Sequence, residues 1–322
     1  MIAAPRTGGN LDHGADRMIS RARLLGMAFF ACLPFLLATA DAKTLRWATR
    51  GDVQTMDPYS QNELLTNNFS NLIHEVLVER MRDSTIGPSL ATSWTIVNET
   101  TWRFVLRKGV RFHDGSPFTA DDVVFSIERA KTPPSQLAQY ARALGTVTKI
   151  DDYTVELKQD KPNPLLLQHL NTIYIMSKAW CVAHHAEKPL DFKAKEETFA
   201  SRNANGTGPY MLKTREIGVK TVLVRNPNWW GPNEGNVTEL VYTPIGSDAT
   251  RMAALLSGEI DLVTDPAPQD IARFNGNAEF KVVSGLENRV VFFGFDQFRD
   301  QLEGSNVIGK NPFKDRRVRE AF

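Results

Sequence analysis

The chain has 322 residues, 42% of them hydrophobic, and its 38 Lys and Arg almost match its 37 Asp and Glu. A balanced surface without a Lys/Arg cluster gives no electrostatic footprint for nucleic acid or an anionic membrane. The length exceeds a usual single core, so two or more domains are expected, and the composition, free of repeats and low-complexity tracts, is globular.

Arg17, Arg21 and Arg23 precede an uncharged run, residues 24–40, which ends in Ala38-Thr39-Ala40 and Ala40-Asp41-Ala42. This pattern predicts a secretory signal peptide over residues 1–42, with two overlapping small-x-small cleavage positions. A transmembrane helix is the competing reading, because the run approaches the ~20 apolar residues needed to span a bilayer. Pro34 and the small residues at its end favour cleavage. The polar residues before Met18 fit no n-region, which makes Met18 an alternative start. Cys32 lies inside the run instead of closing it, which argues against a lipid anchor. Residues 1–42 carry four Arg and three Asp, so their removal keeps the charge balanced and leaves Cys181 as the only cysteine. No intrachain disulfide is then possible. Beside Trp180 and Val182, Cys181 reads as a small buried hydrophobe.

Further along, a helix is expected from near Leu64, with Gln61, Asn62 and Glu63 as the loop that caps it. Trp102, Phe104 and Leu106 alternate with Arg103 and Arg107, which predicts a strand ended by the Lys108-Gly109 turn. After Asp114-Gly115, Thr119 is an N-cap, Asp121 and Asp122 fall in a first helical turn, and Ala120, Val123, Val124, Ile127 and Ala130 form an apolar stripe. Residues 153–157 and 210–213 alternate again, and Gly218 separates the latter from a hairpin partner over 221–224. Residues 252–256 read as a helix stopped by Ser257-Gly258, with a strand over 259–263. Helices feeding strands through Gly turns are units of α/β sheets.

Few side chains suggest chemistry. The Asp121–Asp122 pair is explained by the helix dipole, and adjacent carboxylates on a helix diverge. Glu259 and Asp261 would share a strand face, but they lie in a block that reads as an ordinary structural element. His184 and His185 read as solvent-facing, since adjacent histidines do not converge on one ion and the sequence has no HExxH or CxxC spacing. Gly206-Thr207-Gly208 lacks the Lys-Ser/Thr of a Walker loop, and neither a dinucleotide fingerprint nor a GxSxG elbow occurs. No catalytic constellation is assembled, so the chain is not read as an enzyme.

Four ordered blocks decide the reading. They are SLATSWTIVNETTWRFVLRKGVRFHDGSPFTADDVVFSIER from Ser89, NGTGPYML from Asn205, RNPNWWGPNEGNVTELVYTPI from Arg225, and MAALLSGEIDL from Met252. Together they resemble the bacterial extracellular solute-binding proteins of family 5, the periplasmic dipeptide, oligopeptide, nickel and opine receptors of ABC importers. The resemblance covers residues 45–322 and implies an α/β, periplasmic binding protein-like fold (type II, peptide-binding cluster). A mixed sheet domain, residues 43–76 and 201–285, would carry an inserted small α+β domain over 77–200. A second lobe would begin at 286–322 and be missing by truncation. The implied function is capture of small peptides or peptide-like solutes by a periplasmic monomer that delivers them to a membrane permease, with no cofactor, metal or nucleic acid. A receptor for a metal complex or opine on the same fold, or a secreted hydrolase, is the alternative. By position, the resemblance assigns ligand contact to Gln61, Asn62, Glu63 and Leu64, and to Tyr140. It assigns Trp229-Trp230 to packing at a strand end.

Overall fold

The computed structural model describes residues 2–3, 42–194, 196–232, 235–285 and 290–322. The apolar run 24–40 of the expected signal peptide and the first residues of the expected second lobe, 286–289, lie outside them. Two compact units are present, one ending at Val282 and the other Val283–Phe322.

The first unit opens with β1 (Ile2–Ala3), β2 (Lys43–Thr49) and α1 (Leu64–Ile73). Thr66, Phe69, Ser70 and Ile73 put one face of α1 into the core at helical spacing. A short hairpin, β3 (Val78–Arg80) with β4 (Ile86–Pro88), leads to β5 (Ala91–Asn98) and β6 (Thr101–Leu106). In β6 Phe104 and Leu106 are buried while Arg103 and Val105 are exposed, the alternation expected from the sequence. The helix α2 (Ala120–Lys131) starts where Thr119 predicts it. The backbone N–H of Thr119 donates to Asp122 at 2.9 Å, and Ala120, Val123, Ile127 and Ala130 are buried. After α3 (Ala138–Ala143), β7 (Thr146–Asp151) and β8 (Thr154–Lys158) complete a four-stranded antiparallel sheet in the order β5-β6-β8-β7. Then come α4 (Leu166–Leu170), α5 (Lys178–Ala183) and α6 (Phe199–Arg202).

The remaining elements are β9 (Tyr210–Glu216), β10 (Lys220–Arg225), β11 (Val237–Pro244), α7 (Asp248–Leu256), β12 (Leu262–Val263), α8 (Pro268–Asn275) and β13 (Lys281–Val282). They build a second sheet in the order β13-β1-β12-β2-β11-β10-β9. β2 runs parallel to both β11 and β12, whereas β9, β10 and β11 form an antiparallel meander, so the sheet is mixed. β1 falls within the residues that cleavage would remove, and the parallel pairs of β2 do not involve it. The hairpin between β9 and β10 turns at Gly218, whose φ of 74° suits glycine, and its N–H donates to Asp52 at 2.7 Å. Trp47 of β2 stacks on Phe69 of α1 at 5.4 Å, and Tyr242 of β11 meets both rings edge-on at 4.9 and 5.2 Å. This aromatic triad fixes α1 against the sheet.

Three local expectations need correction. The helix over 252–256 begins earlier, at Asp248, because the Ser247 hydroxyl accepts the Thr250 N–H and caps it. The strand over 259–263 is reduced to Leu262 and Val263, so Glu259 and Asp261 share no strand face. Asp261 instead turns to accept the Arg46 backbone N–H at 2.9 Å and its guanidinium at 2.9 and 2.7 Å. The two adjacent histidines differ: His185 is exposed as expected, whereas His184 is half-buried, its ring stacked on the exposed Phe199 with centroids 3.9 Å apart.

In the second unit a 3-10 turn, Pro312–Lys314, precedes α9 (Arg316–Glu320). Phe295, Phe313 and Phe322 cluster at 4.9 to 5.9 Å, whereas residues 290–293 and Phe298 are largely exposed.

Candidate functional site

The first turn of α1 has backbone N–H groups without intrahelical partners. Glu63 supplies the cap, accepting the N–H of Leu65 at 2.9 Å and of Thr66 at 2.6 Å. Its carboxylate is therefore committed to the helix. The side chain before it, Asn62, accepts from the Asn67 amide at 3.0 Å. With Thr66, Phe69, Ser70 and Ile73 buried, Asn67 and Asn71, four residues apart, share another face of α1 and line a cleft of 570 Å³ together with Asn62.

The far wall of the cleft comes from the segment after α4. Tyr174 donates its hydroxyl to Asn71 at 3.0 Å, and Asn171 and Thr172 line the cleft beside it. Tyr59 donates in turn to the Tyr174 carbonyl, so a core residue holds that wall in place. Side-chain amides from both walls thus offer donors and acceptors to one space.

Where α1 ends, the chain extends, and Val76 forms a bridge with Tyr174. Between them Glu75 receives the indole N–H of Trp230 at 2.8 Å and of Trp229 at 3.1 Å. Burial pushes the Glu75 carboxyl above its usual range, against the opposing pull of those two donors. The guanidinium of Arg107 lies 3.7 Å over the Trp230 ring, a cation–π contact. A Cβ on Gly231 would come within 2.6 Å of the Trp229 ring, so only glycine fits behind it. Held this way, Trp229 lines the first cleft and an adjacent one of 540 Å³, and both clefts share Glu75 and Glu79.

His74, buried at the end of α1, is held neutral: burial, reinforced by His113, pushes its imidazole down to about 3. Burial also pushes His113 down, to about 4. The neutral tautomer of His113 is fixed because Nδ1 accepts the Gly206 N–H and Nε2 donates to the Gly208 carbonyl at 3.0 Å. Gly206-Thr207-Gly208 is thus a packing loop against the end of α1, with the Gly208 N–H on the Ile73 carbonyl at 2.9 Å.

Of the five side chains assigned by position, the structure brings Asn62 to the cleft. Gln61, Glu63, Leu64 and Tyr140 do not line it; Leu64 is half exposed, and Tyr140 packs on the core with its ring 6.0 Å from that of His169. Asn67, Asn71 and Glu75 escaped the sequence reading, and Trp229, assigned there to packing, also lines the cleft. The i, i+4 amides of α1 were the available signal for two of them. Asp121 and Asp122 part as expected, the first to Lys149 at 2.6 Å and the second to the N–H groups of Thr119 and Lys178, both at 2.9 Å. Cys181 is buried, and burial raises its thiol to about 12. Among the described residues no three His, Cys, Asp or Glu side chains are grouped to hold a metal ion.

Residues 85–322 match the family described as bacterial extracellular solute-binding proteins, family 5 Middle. The chain belongs to this family. Its family-5 relatives include the periplasmic oligopeptide-binding protein OppA of Escherichia coli K12, 27% identical over 76% of this chain and 47% of that protein. The dipeptide-binding protein of the same organism is 27% identical over 92% of this chain and 56% of that protein. Among solved structures, DppA of Helicobacter pylori in complex with the peptide STSA superposes with a TM-score of 0.65, at 26% identity over 73% of this chain and 49% of that one. The fold is that of the periplasmic binding proteins, a mixed α/β architecture, and the chain spans about half the length of these family-5 proteins.

Proposed function

We propose that this family-5 chain is the ligand-capturing part of a periplasmic receptor that takes up small peptides or peptide-like solutes and hands them to the permease of an ABC importer. The observation that carries this reading is the amide-walled cleft, where Asn62, Asn67, Asn71 and Asn171 face a space sized for a few residues. A peptide backbone presents alternating donors and acceptors, which side-chain amides match directly or through water.

Domain organisation follows the same reading. A discontinuous sheet domain, residues 43–76 and 201–285, would hold an inserted domain over 77–200, with the cleft running along their junction. Residues 286–322 would begin a second lobe. Closure of two lobes on a bound solute removes water from both sides, and the hinge shifts by as much as the closed state binds better. The chain would act after export and signal-peptide cleavage, as a monomer and without chemistry of its own.

Isothermal calorimetry of the full-length receptor, with both lobes present, and di- to pentapeptides tests this reading. Micromolar or tighter binding is expected, weakened about tenfold in Asn71→Ala, or ~1.4 kcal/mol. A folded protein that binds no peptide in this range would overturn it, and metal-complex binding in its place would favour the other receptor type.

A further inference from the structure

Resting on that reading, we propose that the cleft selects solutes carrying a primary ammonium or guanidinium on an alkyl stem, the cation set against Glu75 and Glu79 and the stem against Trp229. The ionisable side chains lining the cleft are His74, Glu75, Glu79, Arg80 and Tyr174, whose phenol burial keeps neutral. Glu75 is held by two neutral indole donors, and no ion pair to it or to Glu79 forms among the described residues. Arg80 does not offset them, because its guanidinium is turned to the Ser84 carbonyl at 3.2 Å and to the Gln168 amide. Arg107, the cation that acts on Glu79, is engaged by the Trp230 face and by the Ser89 carbonyl at 3.1 Å. His74 stays neutral and adds no positive charge.

Two carboxylates in a partly desolvated wall, neither in an ion pair among the described residues and with Arg80 and Arg107 engaged elsewhere, are costly, and a ligand cation relieves that cost. The Trp229 ring beside them adds apolar area and a negative π-face, which favour an alkylammonium or alkylguanidinium over an anion. The adjacent cleft shares Glu75, Glu79 and Trp229 but also contains Arg82 and Arg225, so the cation preference belongs to the first cleft.

Calorimetric titration of the full-length receptor with Ala-Lys-Ala, Ala-norleucine-Ala, Ala-Glu-Ala and N-acetyl-Ala-Lys-Ala separates a side-chain cation from an amino-terminal one. Removing one of the two ammonium groups is expected to weaken binding at least tenfold, and Ala-Glu-Ala should bind weakest. In Glu79→Gln and Glu75→Gln that loss should shrink to under threefold. Glu79 is exposed, so its variant keeps the test valid if Glu75→Gln fails to fold. Equal binding of all four peptides, or an undiminished loss in both variants, overturns the inference while leaving peptide capture intact. Binding of none of them by a folded protein overturns both.

Discussion

Asp57 and Arg129, 72 positions apart, form a two-point ion pair with distances of 2.9 and 2.6 Å and both side chains wholly buried. Arg129 also donates to the carbonyls of Ala186 and Lys188 at 2.9 Å, and Asp57 accepts the N–H of Tyr59 and Leu190. The pair therefore joins the loop before α1, the end of α2 and the segment after α5. Burial alone would raise the Asp57 carboxyl, but the charge and hydrogen bonds of Arg129 hold it below its usual range. Breaking one side leaves the other charge buried, at a cost of about 3–5 kcal/mol. Asp57→Asn and Arg129→Met should each lose that much in urea unfolding, and a loss under ~1 kcal/mol would show the pair to be dispensable.

Acid should weaken the fold before Asp57 titrates. His74 and His113 have folded-state values of about 3 and about 4 against 6.5 unfolded. Their contribution is complete above pH 6.5 and is lost as pH falls toward those values, each steepening the decline by up to ~1.4 kcal/mol per unit. Glu75, raised in the fold, contributes with the opposite sign: fully below about 4.5, and lost as pH rises through its folded value. Unfolding free energy should fall between pH 6.5 and 4, and His74→Leu should flatten that slope. Constant stability over this window would refute burial of neutral histidines.

Glu63 separates helix capping from ligand contact. Glu63→Ala removes the acceptor for two N–H groups of α1 and should cost about 1 kcal/mol of stability. Peptide affinity should change less than threefold. A tenfold loss of affinity at unchanged stability would restore the positional assignment of Glu63 to the ligand.

Two glycines test close packing. A Cβ on Gly206 would lie 2.0 Å from the Ile73 carbonyl oxygen, a backbone atom, and one on Gly231 would lie 2.6 Å from the Trp229 ring. Gly231→Ala should cost about 1–3 kcal/mol, and Gly206→Ala more, because a backbone yields less than a side chain. Thermal melts of both variants check the order, and a Gly206→Ala protein as stable as the parent would contradict this packing.

The elements legible in the sequence are those whose pattern is local. Thr119 with Asp122, the stripe from Ala120 to Ala130, the alternation of Phe104 and Leu106 and the turn at Gly218 require only neighbours along the chain. The family blocks likewise declared a solute-binding protein from residue order. The cleft could not be read this way, because its walls come from α1, the segment 171–174 and Trp229, brought together only by tertiary packing. Glu63 looked the same as ligand or cap until its carboxylate was seen on two backbone N–H groups. Sequence order assigns Trp229-Trp230 to packing, yet their acceptor, Glu75, lies more than 150 residues earlier, and Trp229 also lines the cleft. Sequence determined helices α1, α2 and α7, strands β6, β8, β9 and β10, and the family, since these follow from periodicity and order. Tertiary structure alone decided which polar side chains face one cavity, because burial and long-range hydrogen bonding set a side chain's direction and its charge.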